Sequence, residues 1–266
     1  MTVYQRLLHI QQTKQTRLCV GLDPLPGRLP KGVHRNVAYF LLEIFDATLP
    51  YSCAYKFNLA FFERMGSTGL HTLEHLLRTI YEVTASEDHR PILIADVKRS
   101  DVPHTAATYA SAYLDFFPFD AVTVNPLLGS DSIQPFLRFS NSLVFLLAVT
   151  SNPGASDFLL APCGDRPLFE RIVEKTATLA SHERIGYVVG ATYPEIFRSL
   201  RSAYPSHFFL VPGIGAQGGD MAQLREANQN RPALFSVSRS ILYASLSIDF
   251  AEAARRQAER FQQESW

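Results

Sequence analysis

The chain has 266 residues, 47% hydrophobic and 19% charged, which supplies a large core, excludes wholesale disorder, and suits one α/β barrel domain spanning 1–266. Lys plus Arg and Asp plus Glu both number 25, for a net charge of zero. No global basic field exists to hold nucleic acid or an anionic membrane, so any charged ligand must be gripped by a local constellation. The elements then follow in a regular order. A helix over 3–13, expected to cover the barrel floor, leads into apolar runs over 17–23, 53–59, 91–98, 121–126, 143–150, 185–191, 208–215 and 233–239. Each run is followed by a segment of helical periodicity, over 36–49, 70–85, 105–117, 132–139, 168–180, 194–203, 220–228 and 248–263. Near-continuous apolar runs suit parallel strands buried on both faces. Eight strands, each followed by a helix, predict a (β/α)8 TIM barrel with an additional N-terminal helix. A doubly wound open sheet is the rival, but usually has fewer strands. Residues 151–167 form the one outsized connection, of a length often used for lids or binding loops.

The cysteines, Cys19, Cys53 and Cys163, are odd in number and lack CxxC spacing, which argues against a disulfide framework or zinc knuckle. Cys19 and Cys53 lie in apolar runs and read as small core residues. Residues 1–15 are amphipathic without a secretory cleavage pattern, and the longest apolar run is far short of a bilayer span. The expectation is a cytoplasmic protein.

A barrel places its chemistry at the C-terminal ends of its strands. The densest charge there is Asp96-Val97-Lys98-Arg99-Ser100-Asp101, closing the third strand. Residues i and i+2 of a strand share a face, so Asp96 and Lys98 are expected to point inward together. Alone, the pair could be a structural ion pair. Lys56, ending the neighbouring second strand, adds a further cation. Such an alternating array keeps its carboxylates ionised and a lysine protonated, suited to holding an anionic substrate and protonating a carbanion.

Residues 211–220, VPGIGAQGGD, contain GxGxxG between a strand and a helix. A dinucleotide site would need an acidic residue about 20 positions further on; residues 231–240 contain none. A phosphate cradle fits better, with backbone N–H groups from the glycines, the positive end of the helix opening at Asp220, and Arg239 leaving the eighth strand. A tight turn without a ligand is the plain alternative. His71-Thr72-Leu73-Glu74-His75 spells H-x-x-E-H, a zinc-protease pattern, but it falls on the outer helical ring, away from the strand ends, and no third ligand is evident.

The run D-V-K-R-S-D at 96–101 with Thr105 resembles the D-x-K-x-x-D signature of the orotidine 5′-phosphate decarboxylase family. CVGLDP (19–24), YKFN (55–58), TSNPGA (150–155), VGATYPE (189–195), VPGIGAQGGD (211–220) and SRSILYAS (238–245) look like its bacterial type 2 branch. The resemblance spans nearly the whole chain. It implies cofactor-free decarboxylation of orotidine 5′-monophosphate to uridine 5′-monophosphate, the last step of de novo pyrimidine nucleotide synthesis, without a metal. By the same resemblance Asp23 and Lys56 hold the ribose hydroxyls, Asp96 faces the substrate carboxylate, and Lys98 protonates C6. Ser151 touches the pyrimidine edge, while Gln217 and Arg239 hold the phosphate with backbone N–H groups of the loop from Gly213 through Gly215 to Gly219. Asp101 and Thr105 reach across a homodimer interface. The chain departs from the branch at Ser100, at Pro103-His104 and at Leu127, all around the charged cluster. A metal-dependent barrel relative acting on sugar phosphates would favour a carboxylate where Lys56 stands. A phosphate-binding protein without catalysis would not need the proton donor.

Overall fold

The computed structural model describes residues 1–31, 33, 36–85, 90–215 and 218–266. Helix α1 (Val3–Lys14) begins at a capping box, in which Thr2 accepts from the Gln5 amide and the Gln5 side chain accepts from the Thr2 amide. The chain then alternates: β1 (Leu18–Gly21), α2 (Val37–Thr48), β2 (Ala54–Asn58), the short α3 (Leu59–Glu63), α4 (Gly66–Val83), β3 (Ile92–Arg99), α5 (Pro103–Ser111), β4 (Ala121–Val124), α6 (Ser130–Leu137), β5 (Leu143–Val149), α7 (Leu168–Ala177), β6 (Ile185–Val189), α8 (Pro194–Ala203), β7 (Phe209–Pro212), α9 (Met221–Asn228), β8 (Ala233–Val237), the short α10 (Arg239–Leu242) and α11 (Phe250–Ser265). The eight strands pair in parallel, each with its sequence neighbours, and β8 closes on β1. This is the expected (β/α)8 barrel.

Period-two alternation sorts the strand residues into two layers. Ala54, Ile92, Ile94, Ala121, Leu143, Phe145, Val188, Leu210 and Leu234 fill the barrel interior, while Tyr55, Leu93, Ala95, Val122, Val144, Tyr187 and Phe235 pack outward under the helices. Val3, Tyr4, Leu7 and Ile10 of α1 join the inner cluster from below. The leading helix is therefore a floor, as its pattern predicted. Cys19 and Cys53 are fully buried, and Cys163 is exposed.

An ionic knot ties that floor down. Asp120, at the entry to β4, accepts from Arg6 of α1, from both terminal nitrogens of Arg90 (2.9 and 3.2 Å), and from the Leu93 amide at 2.9 Å. Asp120→Ala would leave two part-buried guanidinium groups without a carboxylate and one amide without an acceptor. We expect a loss of about 3 kcal/mol in chemical denaturation, near the low end for breaking a buried pair because both arginines are partly wet. A loss under about 1 kcal/mol would mean that the network behaves as an exposed one.

Three local features add to or depart from the sequence expectation. The helix expected over 105–117 runs as α5 and then widens into a π-helical turn, Ala112–Phe116. The outsized connection is not structureless: it holds a 3-10 turn, Pro153–Asp157, and a two-stranded hairpin, Pro162–Cys163 against Arg166–Pro167. Lys98 leaves the extended conformation, at φ 47°.

Candidate active site

The inward-facing row continues upward until it meets solvent, and there it turns polar. Above Ala54 stands Lys56, above Ile94 stands Asp96, above Ala121 stands Thr123, and above Leu234 stands Ser236. All four line one cavity of about 700 Å³ at the C-terminal mouth of the barrel. Leu147, Val188, Leu210 and Ile214 form an apolar wall, and Asp23, Asn58, Lys98, Ser151, Asn152, Gly213, Ser238 and Arg239 are among the other lining residues.

The charged wall is a chain of contacts. Lys56 Nζ lies 3.7 Å from Asp23 Oδ2 and 3.1 Å from Asp96 Oδ2, and Lys98 Nζ lies 2.5 Å from Asp96 Oδ1. The Asn58 amide donates to Asp23 Oδ1 at 3.1 Å, fixing that carboxylate against the end of β2. Lys56 and Asp96 are nearly buried, whereas the Lys98 side chain is 44% exposed. Burial opposes the charge on Lys56, but Asp23 and Asp96 overcome it and hold the ammonium above the ordinary lysine range. Burial would likewise lift Asp96, but Lys56 and Lys98 hold it well below the usual carboxylate range. Two lysines and two aspartates sum to zero charge, so the ionised wall is neutral, buried at Lys56 and Asp96 and open to solvent at Lys98.

On the opposite side, Gly213 (φ 103°) takes the glycine-rich loop away from β7 in a left-handed conformation that favours glycine. The cradle is smaller than the four glycines of this loop suggest. The amides of Gly215, Gly218 and Gly219 donate to Gly219, Gly215 and Gly213 carbonyls inside the loop, and Gly215 is not among the cavity-lining residues. The start of α9 is likewise already occupied, because the Asp220 carboxylate caps it, accepting from the Ala222 and Gln223 amides at 2.8 and 3.3 Å. A negative cap uses up the positive helix end that was expected to serve a ligand. Among the described residues, what remains for an anion on this side is Gly213, Ile214, Ser238 and Arg239. Gln217 lies outside the described residues.

Ser151 reaches the cavity because Gly190 follows the last residue of β6. A Cβ there would come within 2.6 Å of the Ser151 backbone, so only glycine permits that approach.

Of the residues singled out from sequence, Asp23, Lys56, Asp96, Lys98, Ser151, Gly213 and Arg239 meet in this cavity, while Asp101 and Thr105 do not line it. Asp101 sits past the strand end, its carboxylate accepting from the Val102 amide at 2.8 Å. Thr123 is the functional-site residue that sequence reasoning passed over. His71 and His75 lie on α4, exposed, and among the described residues no group of three or more His, Cys, Asp or Glu side chains is placed to hold a metal ion. No helix among the described residues is long and apolar enough to cross a membrane.

The fold and this mouth define a closed parallel barrel with an ionised Lys/Asp wall facing an arginine. Residues 16–256 match the orotidine 5′-phosphate decarboxylase / HUMPS family. The chain is 42% identical over 255 residues to orotidine 5′-phosphate decarboxylase of Herpetosiphon aurantiacus, covering 94% of this chain and 92% of that protein. It is 39% identical over 267 residues to the enzyme of Dehalococcoides mccartyi, covering 98% and 96%. The solved structure of Leishmania donovani OMP decarboxylase superposes with a TM-score of 0.83 at 30% identity, covering 100% of this chain and 99% of that one. The chain belongs to the orotidine 5′-phosphate decarboxylase / HUMPS family.

Proposed function

We propose that this chain decarboxylates orotidine 5′-monophosphate to uridine 5′-monophosphate and CO2, the closing step of de novo pyrimidine nucleotide synthesis, with no metal or organic cofactor. The observation that carries the reading is the hydrogen-bonded run Lys56–Asp96–Lys98 at the barrel mouth. A related barrel enzyme that stabilises an enediolate with a divalent metal would favour a carboxylate where Lys56 stands at the end of β2.

The chemistry follows from charge. Breaking the bond between C6 and the carboxylate leaves its electron pair at C6, with no adjacent carbonyl to delocalise it. The Lys98 ammonium stands over that position, stabilises the developing carbanion and then gives it a proton; the resulting amine recovers a proton from water. A full charge pair at 4 Å is worth about 4 kcal/mol at an effective dielectric constant of about 20. Asp96 faces the departing carboxylate. Because the wall is already neutral, the substrate carboxylate meets no surplus cation that would trap it, and it leaves as uncharged CO2. Asp23 and Lys56 hold the ribose hydroxyls, Ser151 the pyrimidine edge, and Arg239, with the backbone at Gly213 and Ile214, the phosphate; Gln217, outside the described residues, keeps its phosphate role only from the family resemblance. Phosphate binding, remote from C6, contributes the energy that positions the base.

The same reading makes the protein a cytoplasmic homodimer in which Asp101 and Thr105 serve the partner's site. Their position outside their own barrel's cavity wall supports this, as does the exposure of Val102, Leu127 and Leu128 beside the mouths of β3 and β4.

The test is the loss of orotidine 5′-monophosphate absorbance with purified protein in excess chelator. Turnover is expected to persist, and collapse on chelation with recovery on adding magnesium would move the chain to the metal-dependent side of its family. In the same assay Arg239→Ala should act through affinity. Losing a charge-assisted contact should raise KM roughly ten- to hundredfold, with kcat much less affected. An unchanged KM would remove Arg239 from the phosphate site.

A further inference from the structure

Three residues of β3 stand opposite a single residue of β4. Ala95 pairs with Val122 below the irregularity and Arg99 pairs with Val124 above it, leaving Asp96, Val97 and Lys98 facing Thr123 alone. A ladder cannot continue across such a bulge, and the backbone donors of the longer strand need acceptors from elsewhere. Thr123 supplies them. Its Oγ1 accepts from the Val97 amide and from the Lys98 amide, both at 3.0 Å, and lies 3.0 Å from Asp96 Oδ1.

A hydroxyl has two lone pairs and one proton. Both lone pairs are taken by N–H donors, and an ionised carboxylate only accepts, so the hydroxyl donates to Asp96. Every hydrogen-bonding capacity of the side chain is committed to the bulge that carries Asp96 and Lys98, and the residue is 1% exposed. No proton remains for a ligand. The consequence for Lys98 is its left-handed backbone, which turns a residue that would otherwise climb the strand wall so that its Nζ meets Asp96. Asp96 in turn holds Thr123 and Lys98 on Oδ1 and Lys56 on Oδ2, which leaves the carboxylate no freedom to rotate.

We infer that Thr123 is a positioning residue for the decarboxylation: its hydroxyl pins the β3 bulge and thereby sets where the Asp96 carboxylate and the Lys98 ammonium stand. The inference rests on the reading of Lys98 as the proton donor. A valine has nearly the same shape and packs as well, but it would leave the buried Val97 amide and the part-buried Lys98 amide without acceptors and Asp96 one donor short.

The experiment compares Thr123→Val, Thr123→Ser and Lys98→Ala in the full-length enzyme, with active sites counted by calorimetric titration with uridine 5′-monophosphate. Thr123→Val should lower kcat per site roughly ten- to hundredfold while KM and product affinity stay close to wild type. Thr123→Ser keeps the proton and both lone pairs and should restore most of kcat. A residue needed only for stability would lower the melting temperature and the count of competent sites, yet leave kcat per site intact. Wild-type kcat in Thr123→Val beside an inert Lys98→Ala would overturn the inference alone. Turnover persisting in Lys98→Ala would instead overturn the reading beneath it. A serine variant as slow as the valine variant would also count against the hydroxyl. If the valine variant does not fold, the wild-type enzyme still decides: the Val97 and Lys98 amides should be protected in hydrogen exchange, and rapid exchange of both would overturn the pin.

Discussion

Lys98→Ala should abolish turnover while the protein still folds and still binds uridine 5′-monophosphate. Two losses combine. The electrostatic stabilisation of the C6 carbanion, about 4 kcal/mol for a charge pair at 4 Å, corresponds to roughly a thousandfold in rate, and the proton donor disappears with it. The fold should tolerate the change because the Lys98 side chain is 44% exposed, while Asp96 keeps Lys56 at 3.1 Å and Thr123 at 3.0 Å. Melting temperature and product calorimetry check the folded state, and the absorbance assay checks the rate. Near-normal turnover would remove the central claim about Lys98.

The second large effect concerns Asp101, which the fold leaves outside the cavity wall of its own barrel. If each site borrows Asp101 from the partner, Lys98→Ala and Asp101→Ala homodimers are each inactive for a different reason. A mixed dimer then contains one site with both defects and one with neither, because a two-fold interface is self-complementary. After joint unfolding and refolding, random pairing makes about half the dimers mixed, so about a quarter of all sites should recover. Activity staying at the level of the separate variants, with subunit exchange confirmed by mass, would mean that Asp101 serves its own chain.

Much of this was legible in the amino-acid order, because burial writes itself as periodicity. The inward series Ile92, Ile94, Asp96 could be read off β3 directly, and the same alternation put Lys56 at the mouth of β2. The geometry around Lys98 could not be read that way. Strand alternation predicts that residues 96 and 98 share a face, yet Lys98 reaches the cavity through a bulge and a left-handed backbone, and no glycine marks the spot. Thr123 was hidden for a different reason. Threonine is at home in any strand, so inside Ala-Val-Thr-Val nothing separates a hydroxyl with three partners from one that merely tolerates burial. The glycine-rich loop misled in the other direction. Counting glycines overstated the free amides, because residues far enough apart to close a turn donate to one another, and Asp220, read as the mouth of a helix, is the group that stoppers it.

The φ of 47° at Lys98 also bears on how this enzyme can change over evolutionary time. An L-residue in the left-handed region is disfavoured by roughly 1–2 kcal/mol, and glycine relieves that penalty. At the position where the proposed mechanism needs an ammonium, the backbone therefore favours the only residue that has no side chain at all. Drift toward greater stability would act against Lys98, as it would against Gln15, Gln229 and Asn230, which share the left-handed region. On the proposed mechanism, lysine is kept there by selection for turnover, set against a standing gradient toward an inert and sturdier barrel.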